Sequence, residues 1–285
     1  MALSLPDNPR PPRFEVLAPV IAQEQITGQE HEIVFLAPEI ARHALPGQFM
    51  ELLFGENYAP LLRRPFSIYR VDRAAGTCSV LYLARGSFTA ALAQKRVGDV
   101  VSLLGPLGRP FFVPLAPDMD HILVAGGIGA PPLAFLAREL CRERLQQGFS
   151  KGGITILNGA RSADLLVGMV EFDALDAVAE AMTEDGSAGG KGLVTEALQR
   201  RLDRNPGTQV QLYSCGPMPM LRAVGAIALD RNLPCQLSVE TPMPCGIGVC
   251  QGCAIAVHAP DTPEGFRYAL ACWDGPVFEA RDLRW

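Results

Sequence analysis

Residues 245–253 read CGIGVCQGC, and a further cysteine, Cys272, follows after eighteen residues. Three cysteines share one short loop, and the glycines between them permit left-handed backbone and a close approach of N–H groups to a ligand. The C-x4-C-x2-C…C spacing is that of plant-type [2Fe–2S] proteins. It predicts a [2Fe–2S] cluster whose metal ligands are Cys245, Cys250, Cys253 and Cys272.

Two other interpretations of the four cysteines stay open, a structural zinc site and free thiols. Zinc usually takes paired cysteine hooks at two separated positions, whereas here one loop supplies three cysteines. A disulfide framework is typical of short secreted chains. Cys272 has the weakest support from spacing, because a lone downstream cysteine can be a buried apolar residue.

The composition limits the class of protein. The 285 residues are enough for two or three domains, and the net charge of -5 comes without a basic run, so no nucleic-acid partner is expected. The most apolar stretch, residues 122–137, is interrupted by glycines and prolines and is too short to span a bilayer. The N-terminus lacks the pattern of a secretory signal. We expect a cytoplasmic protein without membrane association.

The chain divides into three patterns. Residues 14–116 carry short β-type runs separated by Gly and Pro, which predict an antiparallel β-barrel with one helical insert at 87–95. Residues 117–233 alternate strand and helix and predict an α/β parallel-sheet domain. Residues 234–285 predict a small β-rich iron–sulfur domain.

Two glycine-containing turns indicate a nucleotide site. Gly126-Gly127-Ile128-Gly129 lies between a predicted strand and a predicted helix, where free N–H groups and the helix dipole receive phosphate. A second such turn is Cys215-Gly216-Pro217. Ligands of open parallel sheets bind at the carboxyl ends of strands, so both turns can flank one ligand. In the first domain, the guanidinium of Arg64 offers a planar fork suited to phosphate.

Taken together, these motifs resemble the ferredoxin–NADP reductase superfamily and, more narrowly, the electron-transfer subunits of class 1B dihydroorotate dehydrogenases. The resemblance runs from about residue 14 to residue 280. It rests on residues 64–67, 126–129, 215–217 and 240–253, and on the closing stretch 272–278, which reads CWDGPVF.

The resemblance implies FAD in the barrel and a nicotinamide dinucleotide in the α/β domain. NAD(H) is preferred because no clear basic pair is present to select a 2′-phosphate, and NADP stays open because Arg161 could lie near that ribose. It places Ser67 near the reactive flavin nitrogen, and the predicted catalytic residues are Ser67 and Cys215. The predicted FAD-binding residues are Arg64, Pro65, Phe66, Ser67, Tyr82, Arg85, Gly86 and Thr89. The predicted nicotinamide-binding residues are Gly126, Gly127, Ile128, Gly129, Cys215, Gly216 and Pro217.

This sequence departs from the family pattern in two places. Phe88 stands where the family's Gly-x-Gly-Thr phosphate turn has its second glycine, which leaves the contacts of the turn at Gly86 open. The eighteen residues before Cys272 exceed the family's usual gap, which predicts an enlarged hairpin in the cluster domain.

The resemblance also implies a partner. It predicts an FMN-containing catalytic subunit that oxidises dihydroorotate to orotate in pyrimidine biosynthesis, in a heterotetramer with two of each chain. This subunit would pass electrons between that partner and NAD through the cluster and FAD. The alternative partner is a ferredoxin–NADP oxidoreductase or a sulfhydrogenase served by the same module.

Overall fold

The computed structural model describes residues 12–54, 61–149, 153–204 and 207–285. Most of the predicted proline-rich lead-in, residues 1–13, lies outside these ranges. The described residues form two large sheets and one small hairpin. No described helix has both the length and the apolar character needed to cross a bilayer.

The first domain is an antiparallel sheet of seven strands. In sheet order β4-β3-β7-β1-β2-β6-β5, the strands are β1 (Phe14–Thr27), β2 (Glu30–Leu36), β3 (Phe49–Leu53), β4 (Arg64–Ser67), β5 (Arg70–Asp72), β6 (Thr77–Leu83) and β7 (Val100–Leu107). Two short helices, α1 (Pro38–His43) and α2 (Ser87–Leu92), lie in its connections.

The sheet curls but is not a closed barrel, because its edge strands β4 and β5 are not hydrogen-bonded to each other. The residues that directly follow β4 make backbone hydrogen bonds across the gap between these two edges. The N–H of Ile68 donates to the carbonyl of Gln48 at 3.1 Å, and the N–H of Tyr69 donates to the carbonyl of Ser79 at 2.9 Å. Pro65 has no N–H to donate to a neighbouring strand, and such residues occupy edge strands. The prediction of an antiparallel sheet is confirmed, and its closure is not seen.

The second domain is built on a mostly parallel sheet. Its strands and helices are β8 (Met119–Gly126), α3 (Ala130–Gln146), β9 (Ile154–Ala160), α4 (Met169–Asp173), β10 (Val178–Thr183), β11 (Gly190–Lys191), α5 (Val194–Arg204), β12 (Gln209–Cys215), α6 (Met218–Asp230) and β13 (Cys235–Ser238). The predicted parallel α/β domain is confirmed.

The C-terminal segment adds an antiparallel hairpin and then returns to the second sheet. The hairpin consists of β14 (Ala254–His258) and β15 (Phe266–Leu270), and β16 (Val277–Glu279) pairs antiparallel with β13. The sheet order is therefore β11-β10-β9-β8-β12-β13-β16. The chain leaves the α/β sheet after β13 and returns to it at β16, so these two strands attach the iron–sulfur segment to that sheet.

β3 contributes side chains to two hydrophobic cores, because successive residues of a strand point to opposite faces. Met50 and Leu52 pack inside the curled sheet. Phe49 packs instead in the core that contains Cys253 and Cys272. The cluster segment is therefore seated on the outer face of the first sheet.

Candidate cofactor sites

The four predicted cluster cysteines lie together at one end of the molecule, as two pairs. The Sγ atoms of Cys253 and Cys272 are 3.2 Å apart. The N–H of Cys250 donates to the Sγ of Cys245 at 3.5 Å, and the two thiols interact. All four are free thiols. The structure brings together all the cysteines that the sequence predicted as ligands.

The environment of these thiols is polar on one side and apolar on the other. Burial opposes ionisation of Cys245, but backbone N–H groups of Cys250, Ile247 and Val249 outweigh it and lower its pKa to about 6. Burial, with a further contribution from neighbouring Cys253, raises the pKa of Cys272 to about 12. Backbone N–H groups aimed at sulfur are what a cluster loop uses to stabilise thiolates and sulfides.

The arrangement fits a binuclear cluster better than a single metal ion. Across the described ranges, no three His, Cys, Asp or Glu side chains converge on one point. A structural zinc ion needs four convergent ligands, whereas a [2Fe–2S] cluster spreads four cysteines over two irons. The pairs Cys245 with Cys250 and Cys253 with Cys272 match the way in which a [2Fe–2S] cluster divides its four ligands.

The cluster loop has a buried side and an exposed side. Cys253 and Cys272 are almost fully buried, whereas Cys250 is exposed and neighbouring Val249 is 74% exposed. On the buried side, the ring of Trp273 lies against Gly248 and beneath the guanidinium of Arg13, 4.1 Å from the ring centroid. One edge of the loop is thus open to a partner.

The predicted flavin residues lie on β4 (Arg64 to Ser67), on β6 (Tyr82) and in the turn from β6 into α2 (Arg85, Gly86 and Thr89). Arg64 is exposed, and its Nη1 donates to the carbonyls of Leu62 and Arg63. Phe66 packs edge-on against Tyr82 at 6.1 Å. Tyr82 is buried, which raises its pKa to about 12, and its hydroxyl accepts a hydrogen bond from Gln23 at 2.8 Å. Tyr82 therefore orients the strand that carries Arg64 and Ser67.

Thr89 organises the turn that lacks the family's second glycine. Its Oγ1 accepts hydrogen bonds from the N–H groups of Arg85 at 3.1 Å and Gly86 at 2.9 Å. Gly86, in extended conformation, is the N-cap of α2. The side chain of Phe88 points into the first core, which explains how a large residue is accommodated here.

The two nicotinamide turns touch each other. β8 and β12 are parallel neighbours with Ala125 opposite Cys215. A Cβ on Gly129 would lie 2.2 Å from the carbonyl oxygen of Cys215, so only glycine fits there. Gly127 has φ +52°, and a Cβ added to it would meet no atom of the described residues within 4 Å, so the space beside its Cα is open.

Cys215 is held as a neutral thiol at the end of β12. Burial raises its pKa to about 12, partly opposed by a hydrogen bond with Ser238. Since the thiolate is the nucleophilic form of cysteine, this environment suits packing against a bound ring and not covalent catalysis. Tyr69, two residues beyond β4, belongs to the same hydrophobic core as Cys215.

A charged cluster that the sequence analysis missed joins the first sheet to the α/β domain. Glu171 of α4 accepts a hydrogen bond from Arg70 of β5 at 2.5 Å and another from Arg138 of α3. The carboxylate of Glu30 accepts the N–H of Gly168 at 2.9 Å. We call these five residues the polar seam. These charged residues are isolated and far apart in the sequence, so no local pattern predicts the polar seam.

A second missed contact joins the first sheet to the cluster loop. Phe49, Glu51 and Leu107 pack against Gly246 and the core of the cluster segment. We call these four residues the cluster seam. Its only sequence signal is the single acidic residue in the otherwise apolar strand Phe49–Leu53.

Comparisons with known proteins agree with this geometry. The family described as the iron–sulfur cluster binding domain of dihydroorotate dehydrogenase B matches residues 240–284, and the oxidoreductase NAD-binding domain matches residues 123–225. The electron transfer subunit of dihydroorotate dehydrogenase B (NAD(+)) from Desulforamulus reducens is 36% identical over 94% of this chain and 97% of its own. That from Geobacillus kaustophilus is 37% identical over 93% and 96%.

Solved structures share the fold. A structure of the NADH-dependent reduced ferredoxin–NADP oxidoreductase matches with a TM-score of 0.77 and 25% identity, over 95% of this chain and 90% of that one. A ferredoxin–NADP+ reductase from Neisseria gonorrhoeae with bound FAD and NADP matches with a TM-score of 0.61 and 18% identity, over 76% and 91%.

The fold and sites define an NAD-linked reductase of the ferredoxin–NADP reductase type that carries an iron–sulfur domain. More narrowly, the chain belongs to the family of electron-transfer subunits of dihydroorotate dehydrogenase B. It is an oxidoreductase subunit whose cofactors are FAD, a [2Fe–2S] cluster and NAD(H).

Proposed function

We propose that this chain passes electrons between NAD and a catalytic dihydroorotate dehydrogenase subunit, with FAD and the cluster between them. The observation that carries the proposal is the position of the β3–β4 pair. Its outer face packs on the cluster segment through Phe49, and Tyr69, two residues beyond β4, belongs to the hydrophobic core that also contains Cys215 of the second nicotinamide turn. The strand pair and the residues just beyond it therefore contribute to the cores of both neighbouring segments.

We assign the residues as the sequence predicted them. Arg64, with the turn at Gly86 and Thr89, would hold the FAD phosphates, and the exposure of Arg64 leaves its guanidinium free to turn towards them. The turn at Gly127, where the space beside the Cα is open, would receive the pyrophosphate of NAD. The boundaries 14–116, 117–233 and 234–285 remain our proposal for the three functional units.

The protein's part in the reaction is to position the cofactors and to exclude water. NADH and FAD exchange a hydride, and the cluster exchanges single electrons with flavins. Ser67 would place its hydroxyl at the reactive edge of the flavin, and Cys215 would press a neutral, compact side chain against the nicotinamide ring. The packed faces around Tyr69 keep water from the space between them.

The exposed edge of the cluster loop would face the catalytic subunit. Val249 offers an apolar contact beside the exposed Cys250, and an exposed apolar side chain at a protein's electron-exit point suits a subunit interface. We propose an FMN-containing partner and an assembly with two of each chain. If the protein instead co-purified with a ferredoxin–NADP oxidoreductase or a sulfhydrogenase, the pyrimidine assignment would be dropped.

Removing two cluster cysteines tests the whole proposal. In Cys250→Ser/Cys253→Ser, we expect loss of iron and of electron transfer to the partner, with FAD retained and still reduced by NADH. Iron assay, visible spectra and stopped-flow flavin reduction measure these. Cys78→Ser/Cys141→Ser, away from the loop, is the matched control and should keep its iron. Loss of FAD together with iron, or a colourless zinc protein, would refute the proposal.

A further inference from the structure

Glu51 is buried in a way that the established roles of this chain do not use. It is 0% exposed, and neither carboxyl oxygen has a hydrogen-bond partner among the described residues. Buried polar atoms in native proteins are almost always paired, and each exception calls for an explanation such as a bound group. The carboxyl of Glu51 is therefore a candidate for contact with a cofactor.

Its position lies between the two predicted redox sites. On β3 it faces the same side as Phe49, towards the cluster segment, and it is paired with Pro65 of the flavin strand. A Cβ placed on Gly246 would lie 2.8 Å from the Cγ and 3.1 Å from the Oε1 of Glu51. The carboxyl thus lies directly under the first turn of the cluster loop.

The nearby cations do not pair with this carboxyl. Arg63 donates to the carboxylate of Glu15 at 2.5 Å and to the hydroxyl of Ser102 at 2.9 Å, and it reaches only the backbone carbonyl of Glu51, at 3.4 Å. A carboxyl without a counter-ion in a dry site is favoured as the acid, which has an O–H to donate.

We propose that Glu51 is a positioning residue that supplies a hydrogen bond to the cluster loop and its cluster, and thereby makes the cluster easier to reduce by FAD. The inference rests on the proposed function, since it needs the cluster on the four cysteines. A donor near the cluster stabilises the reduced form, which carries one more negative charge. The electron comes from the reduced flavin, and no bond of Glu51 is made or broken.

Two isosteric variants of the purified holoprotein test this inference. Glu51→Gln keeps a donor of the same length, and Glu51→Met replaces it with an apolar chain that suits the site. An EPR-monitored redox titration should give a wild-type cluster potential for Glu51→Gln and a more negative one for Glu51→Met. Glu32→Gln, on β2 and bonded to Ser79, is the control and should leave the potential unchanged.

The outcomes separate the two proposals. An unchanged cluster potential in Glu51→Met, or an equal shift in Glu51→Gln and Glu51→Met, would overturn the role of Glu51. Loss of iron from Glu51→Met alone would support it, and loss of iron from both variants would show a packing role and overturn it. A wild-type protein without iron–sulfur absorption or an EPR signal would instead refute the proposed function.

Discussion

The polar seam and the cluster seam join the same sheet to its two neighbours by opposite means. The polar seam uses charge: Glu171 bridges Arg70 and Arg138, whose side chains are 44% and 28% exposed. The cluster seam uses close packing: Leu107 and Glu51 lie against Gly246, and both, like Phe49, are almost fully buried. One contact is therefore within reach of water and salt, and the other is sealed from both.

This difference matches what each boundary must do. Partly exposed ion pairs are weak and exchange readily with water, so a domain held by them can move as a dinucleotide enters and leaves. Packed interiors resist deformation, so a sealed boundary keeps the flavin strand at a constant distance from the cluster loop. We infer that the molecule flexes at the nicotinamide side and is rigid at the cluster side.

The largest expected effect comes from adding a methyl group to Gly246, the glycine of the cluster seam. Gly246→Ala would place a Cβ 2.8 Å from atoms of both Glu51 and Leu107, at φ +66°. Overpacking and a left-handed backbone together should cost about 2–4 kcal/mol of unfolding free energy and reduce iron content. Calorimetry and iron assay measure these effects.

Gly168→Ala is the matched variant in the polar seam. It also has positive φ, +79°, but its Cβ would meet Ala130 at a looser 3.3 Å. We expect a cost of about 1–2 kcal/mol from the backbone alone and full iron content. If Gly168→Ala were the more damaging of the two, the rigid boundary would have been assigned to the wrong side.

The sequence predicted the chemistry better than the boundaries between domains. The cluster loop and the turn at Gly126 are local patterns, because spacing along the chain brings their N–H groups and thiols together. The seams are not local. Nothing near Glu51 in the sequence indicates that Gly246 lies against it, and Arg70 meets Glu171 across about a hundred residues.

Several strands carry little signal in the sequence for similar reasons. β1 carries polar residues at both faces along half its length and includes Pro19, so it lacks clean alternation. β13 and β16 are short and gain their stability from pairing in the second sheet, and short strands give little periodic signal. By contrast, α5 is strongly amphipathic, a pattern typical of a helix that packs one face on a sheet.

An intermediate effect is expected from neutralising the polar seam. Glu171→Gln keeps the shape but removes the charge that two arginines share. Because both arginines are partly exposed, the loss of stability should be only about 1–2 kcal/mol. Misplacing the nicotinamide should slow flavin reduction by NADH by about tenfold, and stopped-flow absorbance measures that rate.

The control for Glu171 is an exposed ion pair within the α/β domain. Glu180 and Arg200 are 3.6 Å apart, with side chains 46% and 47% exposed. Glu180→Gln should leave both stability and the flavin reduction rate unchanged. High salt should slow the wild type towards the Glu171→Gln rate and leave that variant unaffected. A salt-independent wild-type rate would argue against a mobile polar seam.

The smallest effect is a pH dependence confined to the α/β domain. Burial, with Arg144 nearby, lowers the pKa of His121 to about 4 from 6.5, so the folded state holds a neutral ring where the unfolded chain takes a proton. His121 therefore contributes its full stability above pH 6.5, and that contribution falls as the pH drops towards 4. At pH 5.5 the loss is about 1 kcal/mol.

Hydrogen exchange can locate this loss. Amides of β8 should lose protection between pH 7 and pH 5.5 in the wild type, whereas those of β3, in the cluster seam, should not. His121→Phe, which keeps a ring beside Tyr213, should remove the pH dependence in β8, and His258→Gln, exposed on β14, should keep it. Equal loss of protection in β3 and β8 would mean that the first sheet and the α/β domain unfold together.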